Sequence, residues 1–101
     1  MNFADTLKTL PEASGTKLVL TDAAGADVGT ILNAPGTAGS FRVYAHLVKR
    51  YGAINVEAAA EGLAIFAEHT EDAVHHPGKH PNIDRLIAIM KTGAALNARI
   101  E

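Results

Sequence analysis

The chain has 101 residues, 48% of them hydrophobic and 20% charged, with a formal net charge of −2 and no cysteine. One domain fits that length, enough to bury roughly two-thirds of its unfolded surface, and a second does not. Disulfides, thiolate zinc sites and cysteine nucleophiles are excluded, disorder is at odds with the aliphatic content, and the small net charge provides no global field for a polyanion.

The opening MNFADTLKTL has neither a basic flank nor a long apolar run, so no signal peptide and no membrane span are expected and the cytoplasm is the default compartment. Phe3, Leu7 and Leu10 stand at helical spacing before Pro11 and predict a short helix over residues 2–10. Lys17–Thr21 and Val28–Leu32 flank the turn residues Asp22 to Gly25, the pattern of a β-hairpin. A loop from Asn33 to Gly39 follows. Ser40 is the expected cap of a second helix with Tyr44, Leu47, Val48 and Tyr51 as its buried stripe and Gly52 at its end.

From Asn55 the spacing predicts one long helix, Val56 to about His76, with Ala59, Leu63, Phe66, Thr70, Ala73 and Val74 on the core side. Glu57, Glu61, Glu68 and His75 fall opposite, toward water. Pro77 and Gly78 end this helix, and Pro81 suits the first turn of another, capped by His80 or Asn82. Ile83, Leu86, Ile87 and Met90 repeat at helical steps before Gly93, the expected left-handed terminator. At the tail Leu96, Ala98 and Ile100 alternate with Asn97, Arg99 and Glu101, the period of a half-buried third strand, though a frayed helix also fits. The expected architecture is α+β, with about four helices on one face of a small antiparallel sheet in the order α-β-β-α-α-α-β. A three-stranded sheet leaves open edges, so dimerisation through an edge or through the alanine-rich helix is expected, most simply with two-fold symmetry.

Three constellations could carry function. His69, Asp72, His76 and His80 place imidazoles and a carboxylate along one helix flank and the following corner, a set that zinc, nickel, iron or manganese would accept. The competing reading makes His75, His76 and His80 helix-end residues that favour the terminal carbonyls and the dipole. Gly39 and Ser40 at a helix start, with Arg42 nearby, could bind an anion through backbone amides. The competing reading, which carries the greater weight, makes them two turn glycines and a serine cap, and neither a Walker A loop nor a dinucleotide fingerprint is present. Arg42, His46, Lys49 and Arg50 form a local basic face, otherwise merely solvated; nucleic acid is not the expected partner. Ser14 and Ser40 lie in no nucleophile-elbow pattern.

The stretches GSFRVYAHLVKRYGAIN, EGLAIFAEHTEDA and PGKHPNIDRL resemble a family of small bacterial proteins known as domain of unknown function 2322, over most of the chain from NFADTLKTLP onward. That resemblance implies a bacterial, cytoplasmic protein and transfers no catalytic residue. The expected function is a non-enzymatic binding module that forms a homodimer, with no cofactor. The alternative is a histidine-carboxylate metal protein, hydrolytic in type, built on His69, Asp72, His76 and His80.

Overall fold

A computed structural model describes all 101 residues. Helix α1 (Phe3–Thr9) precedes the hairpin β1 (Lys17–Thr21) and β2 (Asp27–Leu32). Helices α2 (Ala38–Tyr51), α3 (Val56–Phe66), α4 (Glu68–His75) and α5 (Pro81–Thr92) follow, and β3 (Asn97–Ile100) closes the chain. The α+β class and the third strand are as the sequence predicts, with five helices in place of four. The sheet is antiparallel in the order β2-β1-β3, so the tail strand lies beside the first strand of the hairpin.

Alternation sets what each sheet face does. Leu18 and Leu20 of β1 point toward the helices with Ile31 of β2 and join the main core, while Val19 lies between Thr30 and Arg99 on the opposite face. Asp22 makes the hairpin turn: its Oδ1 accepts from the amides of Ala24 and Ala26 at 2.9 and 3.0 Å, and Gly25 takes φ 87°.

The helix ends follow ordinary capping chemistry. Asn2 lies outside α1 and forms a capping box with Asp5, and Asn55 Oδ1 accepts from the Ala58 amide at 2.8 Å. Gly52 and Gly93 are left-handed C-caps at φ 78° and 72°. The α2 cap is different from the expected one. Helix α2 begins at Ala38, Thr37 stands at the cap position, and Ser40 lies within the first turn. Thr37 does not cap with its side chain; its hydroxyl donates to the Leu32 carbonyl at 2.6 Å.

Small residues let the helices approach. Ala58 and Ala59 are fully buried, and a methyl group added at Gly62 would come within 2.8 Å of Leu86 and 2.9 Å of Leu47. A glycine that lowers helix propensity is kept here by the close approach of α2 and α5. Tyr44 is completely buried, its hydroxyl donating to the Asn82 carbonyl, with the Arg85 guanidinium 5.7 Å from the ring centre. Burial raises this phenol to a pKa of about 12, so it remains a donor at any working pH.

The long helix predicted from Val56 to His76 is broken. Ala67 adopts φ 48° and ψ −114°, and its amide turns to the Ala64 carbonyl. The Leu63 carbonyl, which an unbroken helix would pair with the Ala67 amide, accepts from the Thr70 hydroxyl at 2.6 Å instead. The turn re-aims everything after it. Val74, expected in the core, is 59% exposed while Ala73 is 1% exposed. Glu68, expected to face water alone, accepts from the Phe3 amide at 2.7 Å. In α5 Ile89 is buried, whereas Met90, expected in the core, is 43% exposed.

A non-glycine residue at this φ is strained by about 1–3 kcal/mol, which exceeds the entropy that glycine adds to the unfolded chain. Ala67→Gly should therefore stabilise the protein by about 1 kcal/mol, read as a higher urea midpoint at unchanged slope.

Candidate functional site

The corner between α4 and α5 runs His76-Pro-Gly-Lys-His80, and Asp84 pins it by accepting from the Gly78 amide at 2.8 Å. Asp72, one turn before the end of α4, is the local acceptor. Its Oδ2 lies 2.6 Å from His80 Nε2 and 3.0 Å from Lys79 Nζ, and its Oδ1 lies 3.8 Å from His76 Nε2. The hydrogen bonds from His80 and Lys79 hold the Asp72 carboxyl down from 3.8 to about 2. The carboxylate is thus ionised at neutral pH and is already paired with a cation.

His69 takes a different partner. Its ring meets the edge of Phe3 at 5.2 Å between centres and lies 5.8 Å from the His80 ring, while Phe3 stacks on Phe66 at 5.2 Å. The Glu68 bond to the Phe3 amide holds α1 in this arrangement, and that bond lowers the Glu68 pKa.

These residues form one wall of a cleft of about 470 Å³. Phe3, Phe66, His69, Lys79 and His80 line it on that side, and Gly36 to Ser40 line it on the other, with Pro81 to Ile83 contributing the start of α5. The volume is that of a small-molecule site. Two sequence-predicted constellations therefore meet in space: His69 and His80 from the first, Gly39 and Ser40 from the second. The amides of Gly39, Ser40 and Asn82 have no acceptor within the protein, as expected for first-turn donors. Two helix starts thus offer free N–H groups beside Lys79.

Other predicted site residues lie elsewhere. Arg42 turns away from the cleft, and its guanidinium donates to the Leu10 and Pro11 carbonyls just beyond the end of α1, with Nε 3.1 Å from Pro11. It fastens α1 to α2. His76 is exposed and stands behind Asp72, outside the lining. No group of three or more histidine, aspartate or glutamate side chains has the arrangement of a metal site. The basic face of α2 is largely taken up by partners within the protein as well. Glu61 receives His46 at 2.8 Å, Tyr51 at 3.2 Å and Arg50 at 3.3 Å, so this glutamate ties α3 to α2 and does not face water unpaired. Of the four basic residues only Lys49 has no such partner.

Lys79, Asn82, Phe3 and Phe66 were not singled out in sequence. Phe3 and Phe66 read as core positions, and the half-buried Phe3 ring, stacked on the buried Phe66, joins the cleft wall only once α1 packs on α3. Lys79 carried one available signal, its place between two histidines in a corner closed by prolines.

A small α+β domain with a mixed aromatic and amide-lined cleft is the class that fold and site define. The model of the bacterial family described as uncharacterized protein conserved in bacteria (DUF2322) matches residues 3–100, and the chain belongs to that family. No curated protein and no solved structure matches it. No helix is long and apolar enough to cross a membrane.

The Asp72 tether carries a pH signature. A carboxyl whose pKa is lower in the folded state contributes stability above its unfolded value and loses it as pH falls through the folded one. The loss should fall between about pH 4 and pH 2. Asp72→Asn should lower the melting temperature at pH 7 and flatten its decline across that window, checked by melts at half-unit pH steps.

Proposed function

We propose that the protein is a cytoplasmic, homodimeric binding module, non-enzymatic, whose ligand is a small organic anion held in the cleft between the α2 start and the α4–α5 corner. The observation that carries this reading is the position of Lys79, His69 and His80 across from the unpaired amides of Gly39 and Ser40. Helix-start amides and an ammonium favour a phosphate or carboxylate. The Phe3 and Phe66 rings favour a flat apolar part attached to it. Asp72 acts behind the wall, orienting Lys79 and His80 without lining the cleft.

The test is titration of ¹⁵N-labelled protein with inorganic phosphate and with phenyl phosphate. The Gly39, Ser40 and Asn82 amides should shift with both, and phenyl phosphate should bind about two- to tenfold tighter, the worth of one aromatic contact. Lys79→Ala should weaken both equally, and Phe3→Ala should weaken only phenyl phosphate. Amides that stay in place at millimolar concentrations of either probe would refute the reading.

A histidine-carboxylate metal centre is the second reading, supported by the convergence of His76 and His80 on Asp72 and by the His69 ring beside His80. Zinc, nickel, iron or manganese are the ions this donor set would take. Protein dialysed against chelator and then supplied with zinc or nickel at 100 times its dissociation constant should gain about 2.7 kcal/mol if it binds only the folded state. An unchanged melting temperature across micromolar to millimolar metal removes this reading.

A further inference from the structure

The two edges of the sheet are built differently, and the β3 side is bridged just before the strand begins, where Leu96 exchanges backbone bonds with Ile54. On the β3 edge Asn97, Arg99 and Glu101 alternate along the strand, and Arg99 pairs with Glu101 at 2.8 Å. Charges of this kind discourage another strand from adding there. The β2 edge has no charged residue from Val28 to Leu32, and a register shift against β1 leaves Val28 as an extra residue beside Asp27 at its start.

The backbone of β2 is free in the right places. Asn33 donates to the Thr16 carbonyl at 2.9 Å, so by antiparallel alternation Ile31 and Gly29 bond to β1 while Thr30 and Leu32 point their peptide groups outward. Lys17, opposite Leu32, exchanges its own bonds with Glu101, which confirms that phase. The side chains on the sheet face away from the helices include Val28 and Leu32, 44% and 52% exposed. Unpaired peptide groups and uncovered aliphatic side chains therefore coincide on one strand.

The segment is also complementary to itself. A two-fold axis at Thr30 overlaps Val28 to Leu32 on both chains and sets Val28 opposite Leu32 twice, with the bulged end of β2 and the charged Asp27 at the limits of the overlap. Registers centred elsewhere on β2 shorten the overlap, and none gains an aliphatic pair. We infer that β2 is the dimerisation edge: a second copy of this chain pairs antiparallel with it about Thr30, joining two sheets into one of six strands.

This inference rests on the homodimer of the preceding section and adds where the interface lies. Thr30→Pro removes an amide that β1 does not use, which an edge strand tolerates and an added strand does not. Thr30→Cys places the only thiol of the chain on the axis. Paired Cα atoms there stand about 5.5 Å apart, within disulfide range. In sedimentation equilibrium the wild type should run at twice its 10.6 kDa, and Thr30→Pro, with wild-type circular dichroism, should run as a monomer. Thr30→Cys should oxidise to a covalent dimer, whereas Asn97→Cys on the opposite edge should not. A dimer that persists in Thr30→Pro, with no Thr30→Cys cross-link, would overturn the β2 edge and leave the homodimer standing. A wild type that remains monomeric at every concentration would overturn both. Should Thr30→Pro fail to fold, the cross-linking pair decides.

Discussion

The backbone reversal at Ala67 is the constraint from which the cleft follows. An unbroken helix from Val56 would carry Glu68, His69 and Asp72 around the same cylinder as Glu57 and Glu61. With Ala67 at φ 48° the axis changes, and the three residues after it find separate partners: Glu68 the Phe3 amide, His69 the Phe3 ring, Asp72 the His80 imidazole. The strain at Ala67 is held by these contacts and by Thr70, whose hydroxyl takes the carbonyl that the helix gives up. Backbone strain at a site margin is common where the surrounding structure over-determines it, as four contacts from different elements do here.

The opposite wall is held just as firmly by buried groups. Tyr44 anchors the start of α5 through the Asn82 carbonyl, and Arg85 spans Tyr44 and the Asn82 side chain, 2.9 Å from its Oδ1. Arg42 fixes the end of α1 against α2. Each fastening joins a helix that lines the cleft to another, so the free amides of Gly39, Ser40 and Asn82 sit on backbone with little freedom to turn away. Preorganised donors of this kind cost less to use in binding than donors that must first be ordered.

Much of this was legible in the sequence wherever local chemistry decides. The hairpin, the Asn55 cap, the Gly52 and Gly93 terminators, Pro81 in a first turn and the alternating tail all follow from rules that act over a few residues. The break at Ala67 does not. No proline or glycine marks it, alanine favours continuing the helix, and the residues that enforce it include Phe3, more than sixty positions away in the chain. Ser40 failed as a cap for a related reason: Thr37, three residues earlier, is fixed by its bond to Leu32 in the sheet, and the helix starts from there. Arg42 was misplaced because its partners are carbonyls, which leave no pattern in a sequence. The candidate site was half visible, since histidines and a glycine-rich turn stand out by composition, but their meeting in one cleft depends on tertiary packing alone.

That meeting changes what the histidine cluster means. As a linear set, His69, Asp72, His76 and His80 look like ligands awaiting an ion. In the fold Asp72 already holds one ammonium and one imidazole, and its lowered pKa reflects how well they satisfy it. A divalent ion at Asp72 would compete with Lys79 for the same oxygen and release it from the wall. An anion in the cleft makes the contrary demand, because it needs Lys79 held forward and Asp72 kept behind it. Metal and anion therefore ask opposite things of one carboxylate, and the lysine that decides between them is the residue whose charge the metal reading must displace and the anion reading must use.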